Sequence, residues 1–323
     1  MEGWVRMITR TLFSPIWRRA CLIGLCFLFI CAIGRSQVSQ ELPIRYYNMK
    51  DGLSHSMVSD VVQDSLGLIW IATEDGITRW DGYRFTPFLE EALDSTAIPF
   101  PRIFALAPAR NGKLWLAGEA GIACFDPQTE IFTYYRSPDS VQVKINQHAI
   151  RAMLEDREGQ LWVGSESDGL WLLDPVSRRQ QWFSHQPGNP ASLSDASITC
   201  ILEDQGGRIW IGTKQGLNVY RDGGFQSFFP KNDRESATAE AHITCLVQGP
   251  DQRLWVGTRR GIFLFDPQTA AWSRLPGIAE KPVSLDTGYV TALAADARQK
   301  VWIGIKGKRD QLGRSCALSP ILK

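Results

Sequence analysis

Short runs of alternating apolar and polar positions recur along most of the chain, and each run contains one tryptophan in a fixed setting. The settings read LIWIAT, KLWLAG, QLWVGS, RIWIGT, RLWVGT and KVWIGI, and successive tryptophans are 45, 47, 48, 45 and 47 residues apart. Self-similarity at a fixed period of this length indicates a repeat architecture. The six tryptophans are Trp70, Trp115, Trp162, Trp210, Trp255 and Trp302.

A first strand precedes each tryptophan. Its marker is a β-branched residue twelve positions earlier, followed at two-residue intervals by a small residue and an apolar residue. Positions two apart share one face of a strand, so this face is expected to be buried. The β-branched residues are Val58, Ile103, Ile150, Ile198, Ile243 and Val290; the small ones are Ala105, Ala152, Cys200, Cys245 and Ala292, with Asp60 the exception.

Three further strands follow from the turns. Asp, Asn and Gly cluster between the first strand and the tryptophan strand, as tight hairpins require. A second glycine-bearing turn leads to a third strand, and the fourth strand is rich in aromatic residues. The pattern predicts an all-β protein, a β-propeller of four-stranded blades, in which the tryptophans are packing residues between blades.

Two other repeated residue types also receive structural interpretations. We expect four aspartates to form turns at the end of the third strand. Cys200 and Cys245 fall at equivalent small-residue positions, and we expect them to pack as apolar groups without a disulfide. The four turn aspartates are Asp81, Asp126, Asp174 and Asp266.

The domain boundaries follow from where the repeat begins and ends. Residues 1–36 contain arginines, then an apolar run from Ala20 to Ile33, then small residues, which is the layout of a secretory signal peptide. Residues 37–305 form the propeller, and residues 306–323 are predicted to be an irregular tail, since the sixth repeat loses its pattern after Gly304. The ring then closes with six blades, the tail supplying a strand, or is part of a seven-bladed ring.

Charge and composition limit the classes of molecule that the chain is expected to bind. The formal net charge is +1, from 35 basic and 34 acidic residues, which gives no reason to expect a nucleic acid. Outside the first 36 residues no apolar run is long enough to span a membrane, so the mature chain is expected to be exported, as a periplasmic or secreted protein. Four scattered cysteines outside the leader indicate neither a disulfide framework nor a metal site.

Candidate ligand-binding residues lie just ahead of each first strand, at the mouth where propellers bind ligands: His55, Arg102, His148, Ser197, His242 and Tyr289. Three of them are histidines, which keeps a metal-dependent lyase or hydrolase as an alternative. Their offsets differ, however, and no catalytic motif is present. We therefore predict no catalytic residue, no cofactor and no metal.

The stretch RYYNMKDGLSHSMVSDVVQDSLGLIWIATEDGITRWDGYRFTPF resembles the opening of the two-component regulator propeller domain, and later copies such as ILEDQGGRIWIGTKQGLNVY match the same pattern. The resemblance covers residues 41–305. It implies the periplasmic, ligand-sensing part of a two-component regulator, which in this family senses glycans or other small ligands and works beside other propeller or sensor domains.

The chain departs from the family pattern at its end. The immunoglobulin-like domain, membrane span, kinase and response regulator that follow the propellers in family members have no counterpart here. The resemblance together with the broken sixth copy therefore predicts a truncated sensor without kinase output. A streptogramin-lyase type of propeller has a related repeat, so the enzyme remains the alternative.

Overall fold

The computed structural model describes residues 45–90, 97, 98, 100–119, 121–135, 149–230, 241–275, 288–296, 300–306 and 316–321. All strands lie in one compact unit, Tyr47–Lys323. The predicted signal peptide, residues 1–36, lies outside the described residues. A three-residue 3₁₀ turn, Met49–Asp51, precedes the first strand; it begins at a capping box on Asn48 and ends at Gly52, whose φ is 107°.

Six antiparallel sheets follow one another along the chain, and five have four strands. Blades 1 to 3 are β1 Val58–Gln63, β2 Ile69–Thr73, β3 Ile77–Trp80 and β4 Phe85–Phe88; β5 Ile103–Pro108, β6 Leu114–Gly118, β7 Gly121–Asp126 and β8 Ile131–Tyr135; β9 Ile150–Glu155, β10 Leu161–Ser165, β11 Leu170–Leu173 and β12 Gln180–Phe183. Blades 4 to 6 are β13 Ile198–Glu203, β14 Ile209–Thr213, β15 Gly216–Arg221 and β16 Gly224–Phe228; β17 Ile243–Gln248, β18 Leu254–Thr258, β19 Gly261–Asp266 and β20 Ala271–Arg274; β21 Tyr289–Ala295, β22 Val301–Lys306 and β23 Cys316–Ile321.

Each blade is a meander of consecutive strands, and the first strand of each blade contacts the first strand of the next, from β1 through β5, β9, β13 and β17 to β21. This is the blade arrangement of a β-propeller, as the repeat predicts.

The hydrophobic cores lie between neighbouring blades rather than within them. Five clusters join blades 1 and 2, 2 and 3, 3 and 4, 4 and 5, and 5 and 6. Trp70, for example, is fully buried and packs edge-on against Phe125 of blade 2, with ring centroids 5.4 Å apart. A blade thus buries its faces only through its neighbours, which confirms the predicted structural role of the tryptophans in blades 1 to 5.

The small residue two positions after each tryptophan lets neighbouring blades approach closely. A Cβ atom at Gly212 would lie 2.5 Å from Cys200 Sγ and 2.8 Å from Ile243 Cγ2 of blade 5. The thiols of Cys200 and Cys245 are free, and burial raises their pKa values to about 12 and about 11. They remain protonated and pack as small apolar groups, as expected.

In four blades, an aspartate in the first turn accepts hydrogen bonds both from the turn backbone and from the indole N–H of the blade tryptophan. In blade 3, Asp156 Oδ1 accepts bonds from the backbone N–H groups of Glu158 and Gln160, both at 2.9 Å, while Oδ2 accepts the indole N–H of Trp162 at 2.7 Å. Asp64, Asp204 and Asp296 bond their own blade's indole in the same way. The buried indole N–H therefore has a charged acceptor in four blades.

Blades 2 and 5 lack this aspartate. In blade 2 the position is Ala109, and the indole of Trp115 instead donates to Glu155 of blade 3 at 2.6 Å. In blade 5 it is Gly249, and the buried indole N–H of Trp255 has no hydrogen-bond partner. Blade 5 is therefore the one described blade whose tryptophan carries an unsatisfied donor.

The other predicted turn aspartates are confirmed. In each case the backbone N–H of the residue two positions after the aspartate donates to its carboxylate. The four aspartates are Asp81, Asp126, Asp174 and Asp266. Hydrogen bonds, chiefly from backbone groups and at Asp174 first from the Ser177 hydroxyl, lower the pKa of all four carboxyls.

The two terminal blades differ from the inner ones. In β1, Val58 is 47% exposed, whereas its counterpart Ile103 in blade 2 is 1% exposed. In blade 6, Trp302 is only half-buried. Part of the predicted irregular tail forms β23, paired antiparallel to β22. The backbone groups of β23 pair with the otherwise open edge of β22. Because this pairing does not require alternating apolar side chains, the sequence pattern does not reveal the strand.

Replacing Asp156 with Ala is expected to lower the free energy of unfolding by about 3 kcal/mol, because it strands two turn N–H groups and a buried indole. Urea unfolding followed by tryptophan fluorescence measures the loss. The matched control is Glu158→Ala, an exposed carboxylate in the same turn, expected to change stability by less than about 0.5 kcal/mol. Equal losses in both variants would contradict the role given to Asp156.

Replacing Gly212 with Ala should destabilise the protein by about 1–3 kcal/mol, because the added methyl group meets both Cys200 of its own blade and Ile243 of blade 5. Ile243→Ala removes the facing side chain, so the double variant should lose less than the sum of the single variants. A double-mutant cycle in urea tests this. Strictly additive losses would show that Gly212 does not govern the contact between blades 4 and 5.

Candidate ligand site at the mouth of blades 3 to 6

A β-bulge lies near the beginning of the first strand in every blade. In blade 4, Ile198 pairs with Thr213 and Cys200 pairs with Gly212, so Thr199 has no partner of its own. The same shift is present in the other five blades. A bulge redirects the side chain of its extra residue. The six bulge residues are Ser59, Phe104, Arg151, Thr199, Thr244 and Thr291.

Four of these bulge residues line one pocket of about 330 Å³. The pocket lies at the end of the blades where the first strands begin and the tryptophan strands end, and it draws side chains from blades 3, 4, 5 and 6. Its lining residues are Arg151, Glu166, Ile198, Thr199, Lys214, His242, Thr244, Arg259, Tyr289 and Thr291. Convergent polar groups from several elements are typical of small-molecule sites.

The charges of the pocket are unevenly paired. Arg151 bonds Glu166 through Nε at 3.1 Å and Nη2 at 2.8 Å, and this bond together with the arginine charge lowers the pKa of Glu166. Lys214 and Arg259 form no ion pair among the described residues. Arg259 instead lies over the ring of Tyr289, with its Cζ atom 5.8 Å from the centroid.

His242 is half-buried at the same mouth, and no hydrogen bond to its ring is recorded within the described part of the chain. Burial, then the positive charges of Arg259 and Lys214, lowers its pKa to about 4 against the opposing charge of Asp195. The imidazole is therefore neutral at neutral pH. It can donate or accept a hydrogen bond there without carrying charge.

The structure brings together two of the six residues predicted from sequence, His242 and Tyr289. His55 lies in blade 1, where its Nδ1 accepts the N–H of Met57. Arg102 is exposed, and the backbone N–H of Ser197 donates to Asp195 at 2.7 Å. None of these three lines the pocket, and His148 lies outside the described residues.

Sequence reasoning missed Arg151, Glu166, Lys214 and Arg259. Their signal was present: each lies directly after the β-branched marker residue or four positions after a blade tryptophan. The two-residue period of the first strand places the residue after each β-branched marker on the opposite face of the strand. The direction of its side chain follows from the bulge, which the sequence pattern does not show. Among the described residues, which do not include His148, no group of three His, Cys, Asp or Glu side chains is arranged to hold an ion.

Four stretches of the chain match the two-component regulator propeller family: residues 52–75, 144–167, 192–215 and 239–260. Each of the four spans the turn aspartate or its equivalent and the tryptophan strand. These four stretches carry the two-component regulator propeller repeat. A 67-residue stretch is also 34% identical to histidine kinase P4 of Formosa agariphila, covering 21% of this chain and 5% of that kinase.

Several solved structures share the fold of this chain. The extracellular domain of the hybrid two-component system BT4673 from B. thetaiotaomicron superimposes with a TM-score of 0.68 at 20% identity, over 86% of this chain and 33% of that one. The corresponding domain of BT3049 gives 0.65 at 20% identity, over 85% and 35%. The chain thus spans about a third of these domains. Virginiamycin B lyase from Staphylococcus aureus gives 0.57 at 13% identity, over 82% and 84%.

In the part of the chain that the structure describes, no helix is long and apolar enough to cross a membrane.

The depressed pKa of His242 predicts a pH dependence. Between about pH 4 and 6.5 the unfolded chain binds a proton at this residue and the folded chain does not, so stability should fall as pH falls through this range. Titration of the imidazole C2 proton by NMR should give a pKa near 4, and His242→Gln should flatten part of the stability profile. A pKa near 6.5 would show that the ring is freely hydrated.

Proposed function

We propose that this chain is the ligand-sensing propeller of a two-component regulator and that the ligand binds in the pocket at the mouth of blades 3 to 6. The observation that carries the proposal is the convergence of bulge residues from four successive blades on one pocket. A bulge costs a ladder hydrogen bond, and its repeated use next to a pocket is typical of binding sites.

The comparisons support the sensor class. The family repeats and the hybrid two-component systems that share the fold support an extracytoplasmic sensing role over a catalytic one. We propose accordingly that the chain is exported and that its signal is passed on by other domains. The lyases that share the fold do so at 12–15% identity, and no residue cluster described here favours their chemistry.

The ligand proposed is a glycan or another small polar molecule. Tyr289 offers an aromatic face, the threonines Thr199, Thr244 and Thr291 offer hydroxyls, and His242 offers a neutral ring nitrogen. Aromatic stacking combined with a few directed hydrogen bonds suits a sugar. Thr244 Oγ1 donates to the carbonyl of Val290 at 2.7 Å, which fixes its orientation. Cys245 Sγ lies 3.6 Å from Thr244 Oγ1 and can donate to one lone pair, which leaves the other for a ligand.

A thermal-shift screen of soluble mono- and oligosaccharides, followed by calorimetry on the hits, tests this function. Tyr289→Ala should weaken binding about tenfold or more, because an aromatic platform is lost. The control is Trp182→Ala, which removes a 55%-exposed aromatic side chain from a different pocket on β12.

Circular dichroism must show that both variants are folded. If Tyr289→Ala leaves the affinity unchanged and Trp182→Ala removes it, the ligand binds on the outer strands and the proposed mouth site is wrong.

A further inference from the structure

One repeated position at the mouth divides the blades by charge. The residue four positions after each blade tryptophan is acidic in blades 1 to 3 and basic in blades 4 to 6. The six residues are Glu74, Glu119 and Glu166, then Lys214, Arg259 and Lys306. Each directly follows, or in blade 6 ends, the tryptophan strand, so the same structural position carries opposite charge in the two halves.

The backbone holds this position at the mouth. The N–H of Glu74 donates to Met57, that of Glu119 to Arg102, that of Glu166 to Ala149 and that of Lys214 to Ser197, each on the segment entering the first strand of the same blade. The charged side chains therefore occur at the rim by construction of the repeat. The sign of the charge differs between blades 1 to 3 and blades 4 to 6.

The basic half lacks compensating acids. Three bases and one acid line the pocket, and the acid, Glu166, is already bonded to Arg151. Lys214, Arg259 and Lys306 form no ion pair in the part of the chain that the structure describes. The charge of Lys214 also contributes to the lowered pKa of Glu166. A second acid, Asp195, contributes to the electrostatics of His242 and accepts a backbone N–H.

Two of these cations are held around one aromatic ring. Arg259 Cζ lies 5.8 Å and Lys306 Nζ 5.9 Å from the ring centroid of Tyr289. Cation–π contacts fix the position of the charges without neutralising them. Lys214, from the neighbouring blade, lines the same pocket. The result is a concave site that is open to solvent, with exposed Arg259 and Lys306, half-buried Lys214, a neutral histidine and an aromatic ring.

We propose that this pocket binds an anionic ligand, and that a carboxylate or sulfate group of the ligand lies between Lys214 and Arg259 while the remainder lies against Tyr289. This inference rests on the proposed function and narrows its ligand class. Charge-assisted hydrogen bonds to an oxyanion are about twice as strong as neutral ones. The pocket volume of about 330 Å³ suits a group the size of one or two sugar residues.

Calorimetry at low ionic strength with four probes tests the inference: glucose, sodium glucuronate, glucose 6-sulfate and inorganic sulfate. Glucuronate or glucose 6-sulfate should bind the wild-type chain at least about tenfold more tightly than glucose, since only they offer the oxyanion. Added sodium chloride should weaken their binding. Whichever of the two binds better identifies carboxylate or sulfate, and tight binding of inorganic sulfate alone identifies a free oxyanion.

The matched variants are Arg259→Gln, Lys214→Gln and Arg260→Gln. The first two should lower the affinity for the anionic probe about tenfold or more. Arg260→Gln removes the same charge from the adjacent exposed residue, which does not line the pocket, and should leave the affinity within about twofold.

The inference is overturned if glucose binds as tightly as glucuronate, if Arg259→Gln and Arg260→Gln behave alike, or if no anionic probe binds at millimolar concentration. Glucose binding that is lost in Tyr289→Ala but unaffected by Arg259→Gln would overturn only the anionic ligand class and leave the mouth site standing. An affinity that is unchanged by substitution of Lys214, Arg259 and Tyr289 would overturn the proposed site as well.

Discussion

The fold depends on a carboxylate that satisfies a hairpin turn and a buried indole at the same time. Where Asp156 accepts two backbone N–H groups and the indole of Trp162, the turn, the second strand and the large side chain that enters the next blade are fixed relative to one another. The N–H of a buried tryptophan usually finds an acceptor. In blades 1, 3, 4 and 6 the aspartate supplies that acceptor from within the same hairpin.

The same constraint explains the exceptions. Blade 2 obtains its acceptor from Glu155 of blade 3, which makes that hydrogen bond a contact between blades. Blade 5 has no acceptor, and the glycine in its place leaves the indole of Trp255 unsatisfied. Blade 5 also supplies His242, Thr244 and Arg259 to the mouth pocket, so the hairpin with the unsatisfied indole belongs to one of the two blades that contribute three residues each to the candidate site.

Much of the fold was predictable because repetition amplifies a weak signal. A single Gly-Trp hairpin is ambiguous, but six tryptophans in register indicated the strands, the turns and the packing role of Trp70 and its counterparts.

The candidate site was predictable only in part. His242 and Tyr289 precede their strands and were found by position, whereas Lys214 and Arg259 follow theirs and were passed over. The bulge that turns Thr199 and Arg151 into the pocket is a backbone irregularity, and the marker residues on either side of it keep their ordinary spacing. Strand β23 pairs through backbone groups, which side-chain patterns do not record.

The mouth combines a backbone frame that is repeated in every blade with a charge that differs between blades. The frame, set by hairpins and interblade cores, places one bulge residue and one rim residue per blade at the same end. The most direct test of this account is a crystal structure of the chain with glucuronate. The account predicts that the carboxylate lies between Lys214 and Arg259 with the sugar ring on Tyr289; a sugar ordered instead beside Trp182 on the outer strands, with the mouth empty, would contradict it.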